Sequence, residues 1–101
     1  MSIEENLRKN QITIPNPPSP VGNYVAYNKS GNLIFISGQL PINEKGEMIK
    51  GKIGKDLNIE DGIEAAKLCI LNSVGHLKKA VGDLNKVKRC VKINGFVSCS
   101  D

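Results

Sequence analysis

The chain has 101 residues and a mass of 11.0 kDa, room for one small core and none for a separate cofactor-binding module. Hydrophobic residues make up 40% and charged residues 24%, which excludes wholesale disorder and a membrane-embedded chain. The net charge of +4 comes from 14 Lys and Arg against 10 Asp and Glu; the lysines are spread from Lys9 to Lys92 and form no stripe, so nucleic acid is not expected as a partner.

Met1 to Asn10 contains Glu4, Glu5, Arg8 and Lys9. It lacks the apolar run of a secretory signal and reads as a polar, helix-permissive arm. After Gln11-Ile12-Thr13-Ile14 comes Pro15-Asn16-Pro17-Pro18-Ser19-Pro20, with four prolines in six positions, which is neither helix nor central strand. The predicted organisation is a polar, proline-rich leader over 1–21 and a folded unit over 22–101. No segment is long enough to span a bilayer, and the odd number of cysteines, Cys69, Cys90 and Cys99, suits a reducing compartment. A cytoplasmic protein with no membrane partner is expected.

Tyr24 to Asn28 favours β structure, and beyond Lys29-Ser30-Gly31-Asn32 the run Leu33-Ile34-Phe35-Ile36 predicts the second strand of a hairpin. Because that run is apolar without alternation, it is predicted to lie inside the sheet with both faces covered. Ser37-Gly38-Gln39 closes the strand. The turn Asn43 to Gly46 leads to a predicted third strand around Glu47 to Lys52, and Lys50, Lys52 and Lys55 suit an edge position.

Asn58 is a good N-cap with Glu60 and Asp61 in the first turn, and Gly82 follows Lys78 and Lys79 where a helix-ending glycine belongs. These signals predict a helix over Ile59–Val81, with Ile63, Ala66, Ile70, Val74, Leu77 and Val81 as its inward stripe. From Val87 to Val97 the residues Val87, Val91, Ile93 and Val97 alternate with Lys88, Cys90, Lys92 and Asn94, predicting a half-buried strand reached by a right-handed crossover. The order is β-β-β-α-β, an α/β (α+β) unit. One helix is too little to cover such a sheet, so either another subunit supplies the cover or the sequence is the front portion of a longer domain.

Few residues carry chemistry. His76, the single histidine, has no acid or nucleophile spaced to pair with it and reads as structural. Cys69 and His76 share a helix, but two ligands without a third make a poor metal site; Cys69, Cys90 and Cys99 read as free thiols. The glycines form no phosphate-binding fingerprint, so neither a metal nor a cofactor is expected. Alternation places Lys86, Lys88 and Lys92 on one face and Arg89 on the other, a basic patch with too few aromatic residues around it for an RNA-stacking platform. Ser37-Gly38 is the exception, since a small hydroxyl and a glycine at a strand end expose backbone N–H groups to an anionic ligand.

The string Gly31-Asn32-Leu33-Ile34-Phe35-Ile36-Ser37-Gly38-Gln39-Leu40-Pro41, with Gly22-Asn23-Tyr24 before it and the helix ending at Gly82-Asp83-Leu84, resembles the RidA (YjgF-like) family over about Ser19 to Asp101. The resemblance implies a chorismate-mutase-like fold, a mixed sheet backed by two helices, and a homotrimer when complete, with pockets between subunits. It implies hydrolysis of reactive enamines and imines to 2-oxo acids and ammonia, as in a 2-iminobutanoate/2-iminopropanoate deaminase, with a small carboxylated imine or 2-oxo acid as ligand. By position, Tyr24 matches the family's pocket-lining tyrosine, and Ser37 and Gly38 match the pair at the pocket floor; no residue is assigned as catalytic. Asn23 stands where the family usually has proline, which suggests a divergent subgroup. In the family pattern the second helix, the last strands and a substrate-clamping arginine lie beyond Asp101. That contact is worth about 2–3 kcal/mol, so a chain ending at Asp101 is expected to bind poorly and the full protein to continue. The alternatives are a non-catalytic ligand-binding or regulatory member and an RNA-binding, endoribonuclease-type member.

Overall fold

The computed structural model describes residues 2–20 and 22–101; Met1 and Val21, which bound the predicted leader, lie outside the described residues. Helix α1 (Ile3–Lys9) is capped by Ser2, whose hydroxyl accepts from the Glu5 N–H, and carries Glu4 and Glu5 in its first turn and Arg8 and Lys9 in its last. This charge order matches the helix dipole, yet seven residues form a marginal helix alone. Glu4 fastens it. Its N–H donates to Asn85 Oδ1 at 2.9 Å and its carboxylate accepts from the Leu84 N–H at 3.3 Å. An ion pair with Lys78 at 3.9 Å is exposed and adds little.

Strands β1 (Tyr27–Ser30) and β2 (Leu33–Ile36) form an antiparallel hairpin in which Tyr27 faces Ile36 and Ser30 faces Leu33. Gly31, with φ +57°, takes the first of the two loop positions, where a hairpin of right-handed twist calls for a positive φ. Contrary to expectation, β2 is not doubly covered: Ile34 and Ile36 are half-buried, while Leu33 and Phe35 stand 48% and 59% exposed. The sheet has two strands among the described residues. Unbroken apolar character marks a segment that tolerates cover on both faces, and here the chain supplies it on one.

Helix α2 (Ile59–Val81) has the predicted ends. Asn58 and Asp61 form a reciprocal capping box, and Gly82 closes the helix at φ +81°. No helix among the described residues is long and apolar enough to cross a membrane. The inward face, however, is not the predicted stripe. Asn72, Gly75 and His76 are the buried residues of α2, whereas Ile63 and Ile70 are 63% and 46% exposed and Val74, Leu77 and Val81 half-buried. The helix is apolar on more than one side, and the loops packed on it present carbonyls and proline rings. A side with an amide donor and a glycine accommodates those better than a row of branched side chains does.

A single 3₁₀ turn (Leu84–Lys86) follows, and Leu84 at 1% is the most buried side chain described. Two predicted strands are replaced by looser structure. Around the third, Asn43 N–H donates to Glu47 O and Ile49 N–H to Pro41 O, giving a small turn with one bridge between Ile42 and Met48. Residues 88–98 carry no regular structure, and Val91, Ile93, Phe96 and Val97 are exposed; beyond them Cys99 makes one parallel bridge with Ile53. Alternation says which side chains share a face but provides no neighbour for the backbone to pair with. The α+β class stands, with two regular strands in place of four.

The buried Asn72 amide donates to Leu40 O at 3.2 Å and Ile42 O at 2.8 Å, fixing the segment after β2 to α2. Replacing Asn72 with alanine strands two carbonyls, so Asn72→Ala is expected to lower unfolding free energy by about 1–3 kcal/mol. Ile63→Ala, on the exposed stripe, should change it by less than about 0.5 kcal/mol; urea unfolding of the two variants makes the comparison.

Candidate functional site

Beyond β2 the chain passes through Ser37 to Leu40 across the end of the hairpin. Ser37 N–H donates to Ala26 O at 2.9 Å, extending the pairing by one residue, and the Ser37 hydroxyl donates to Val25 O. The Gln39 side chain donates back to Ser37 O at 3.0 Å. Gly38 then lies exposed, with nothing within 4 Å of the position a Cβ would take. Among the described residues its N–H has no acceptor.

The residues read as a proline-rich leader lie directly on α2. Pro17 is buried, and a Cβ on Gly75 would come 2.8 Å from Pro15 O and 2.9 Å from Pro17 Cδ, so the absence of a side chain at 75 is what admits the segment. One residue on, His76 is buried at 4% exposure and lines the same hollow as Pro18. Burial holds its imidazole below the usual histidine value, the Lys79 ammonium adds to that, and the Pro18 carbonyl opposes it.

Between the proline segment and residues 38–42 is a hollow of about 20 Å³ lined by Pro18, Pro20, Tyr24, Gly38, Gln39 and His76, among others. It has the room of about one water molecule. Of the predicted site residues, the structure brings Tyr24 and Gly38 to this hollow, whereas the Ser37 side chain turns back to β1. With its proton committed to Val25, the Ser37 oxygen is left as an acceptor. His76 and the prolines were not predicted at the site; the signal for them was the proline cluster standing immediately before Tyr24. A wider groove of about 320 Å³ lies on the far side of Ile42 and Asn72, between Thr13, Leu68, Leu71 and Lys45.

Other candidates are apart from the hollow. Lys86, Lys88, Arg89 and Lys92 are all exposed, but without a strand there is no alternation to sort them onto faces. No group of three metal-ligating side chains occurs among the described residues. Cys69 is half-buried, and burial pushes its thiol up.

The chain matches the model of the family described as "YjgF/chorismate_mutase-like, putative endoribonuclease" over residues 4–101. It belongs to the YjgF family. A YjgF-type fold is also what the solved structures show. The chain superposes with a TM-score of 0.75 and 30% identity on a crystal structure described as a "putative endoribonuclease" from Shewanella oneidensis, covering 83% of this chain and 56% of that one. For a protein of unknown function from Agrobacterium tumefaciens the TM-score is 0.70 and the identity 37%, covering 87% of this chain and 52% of that one. Protein TCP17 of Trypanosoma cruzi is 41% identical over 98 residues, 97% of this chain and 61% of its own length. A RutC family protein of Pyrococcus horikoshii is 39% identical over 83 residues, 76% of this chain and 65% of its own. The chain thus spans less than two thirds of each of these relatives.

Thiol reactivity checks the burial around the site. Cys90 and Cys99 are exposed and should react with a chromogenic disulfide in a fast phase at neutral pH; Cys69 should react in a separate slow phase that merges with the fast one in denaturant.

Proposed function

We propose that this YjgF-family chain belongs to a cytoplasmic deaminase that hydrolyses small carboxylated imines, 2-iminopropanoate and its homologues, to 2-oxo acids and ammonia. The observation that carries the reading is the meeting of Tyr24 and Gly38 at one hollow, with the Gly38 N–H, which has no acceptor among the described residues, beside it. The reaction asks little of the protein. The imine carbon is already electrophilic; water adds its oxygen there, a proton passes to nitrogen, and collapse of the carbinolamine forms the C=O bond as C–N breaks and ammonia leaves.

Each group at the hollow has a part suited to that sequence. The Gly38 N–H is a donor for the substrate carboxylate, and the Ser37 hydroxyl, turned back onto Val25 O, fixes the strand end that carries it. Tyr24 stands over the opening, 44% exposed, and restricts how the imine lies. Orientation of two reactants, with no strong base, is the source of the acceleration. The hollow takes one end of such a molecule, so the rest lies over its mouth, where a neighbouring subunit of a trimer completes the enclosure. Two features support association: the accessible surface is 7825 Å² against roughly 5600 Å² for a compact chain of this mass, and the excess includes exposed Leu33, Phe35 and Phe96.

An endoribonuclease-type role is the second reading, favoured by the exposed Lys86, Lys88, Arg89 and Lys92 and by the wording of the family description. It predicts RNA affinity that falls steeply with salt and disappears when those four are neutralised.

For the deaminase, 2-aminoacrylate generated in the cuvette should lose its imine absorbance faster with protein present, and Gly38→Val should abolish the acceleration while leaving the unfolding midpoint within error, because open space surrounds position 38. Equal rates with and without the native trimer would sink the proposal.

A further inference from the structure

Asn72 and His76, one turn apart on α2, are its two buried polar side chains, at 2% and 4% exposure. Polar groups this deep are hydrogen-bonded as a rule. Asn72 follows the rule through Leu40 O and Ile42 O. The His76 imidazole makes no hydrogen bond to a described residue, yet no buried side-chain nitrogen or oxygen is sealed off without a partner. Its ring nitrogens therefore open on space. That space is the hollow of Tyr24 and Gly38, which His76 lines, and not the wider groove beyond Asn72, which it does not touch.

We propose that His76 is a substrate-binding residue, its imidazole N–H joining the Gly38 N–H as the second donor to the carboxylate of the imine. The proposal rests on that hollow being the substrate site. The lining decides the sign of the ligand. No Asp or Glu borders the hollow, the Gly38 N–H has no acceptor among the described residues, and the Lys79 ammonium acts on the ring from the same helix. Donors with no carboxylate facing them fit a group that only accepts, and an anion above all. Burial keeps the ring uncharged at neutral pH, and an uncharged imidazole still carries one N–H, so the contact needs no added proton. The volume agrees. A hollow of about 20 Å³ has the room of one water molecule, hence of one carboxylate oxygen, and the imine carbon, two bonds from that oxygen, is left at the mouth where Tyr24 stands.

Because the chain has one histidine, its ring nitrogens give unambiguous NMR signals, and these report the contact without reference to activity. Pyruvate, the stable product of 2-iminopropanoate hydrolysis, should shift the His76 ring signals and the Gly38 amide along one saturable curve; pyruvamide, which has the same shape without the charge, should move neither. The pyruvate Kd should rise at least about tenfold in His76→Phe, the loss of one hydrogen bond to a charged group, and return to within about threefold of native in His76→Gln, which keeps a donor there. KM for 2-iminopropanoate should follow Kd while kcat changes little, since the contact is made in ground state and transition state alike. A Gly38 amide that moves with pyruvate while the native ring signals stay still, or an unchanged Kd in His76→Phe, overturns the role of His76; the first of these needs no variant to fold. Pyruvate that moves neither signal overturns the hollow as a carboxylate site. If both signals move and imine loss is not accelerated, His76 keeps its role and the deaminase reading fails.

Discussion

The structure depends on one amide. After β2 the chain must cross from the hairpin to the loop at Asn43 without a strand neighbour, and its carbonyls at Leu40 and Ile42 come to rest against α2, the second of them buried. Asn72 meets both with a single NH₂ group. An apolar side chain there would leave two acceptors unpaired at a cost that exceeds what its own burial contributes. Gly75 and His76 lie three and four residues further on, hence on the same side of the helix. The segment that carries Gly38 and the segment that carries the prolines are therefore clipped to adjacent turns of one helix face, and the hollow is the space between them.

Much of this was legible in the sequence because it is local. The ends of α2 follow from Asn58, Asp61 and Gly82, whose capping chemistry acts within four residues. The hairpin follows from Gly31 between two β-favouring runs. Tyr24 and Gly38 were legible as a pair through family resemblance, and in the structure both line one hollow, Gly38 directly after Ser37, whose N–H closes the ladder on Ala26 O.

The remainder depended on partners that no local pattern names. Ile63, Ala66 and Ile70 make a good amphipathic stripe, yet burial went to a face whose residues look unsuited to a core, because what packs on it is backbone and proline. Val87 to Val97 alternates as a strand should, but the described residues place no edge beside it. The prolines mislead in the opposite direction. Their inability to join helix or sheet argued for a peripheral leader, whereas rigid rings without N–H donors are what can lie flat on a helix at Gly75 without stranding polar groups. His76, read as structural for want of a catalytic partner, is buried and lines the hollow.

The lining of the hollow also discriminates between chemistries. Its residues are prolines, small or amide side chains, aliphatics, one tyrosine and one buried histidine, with no carboxylate and no lysine or arginine. Phosphoryl transfer accumulates negative charge on the transferred group and calls for cations aimed at it, whereas the cations of this chain from Lys86 to Lys92 follow the 3₁₀ turn at Leu84–Lys86 and do not line the hollow. Imine hydrolysis begins from a substrate that brings its own electrophile and its own carboxylate, and it needs donors, an acceptor for water and a fixed orientation. The Gly38 N–H, which has no acceptor among the described residues, is one such donor. On the proposed reading, orientation falls to Tyr24, which lines the hollow and stands 44% exposed over it.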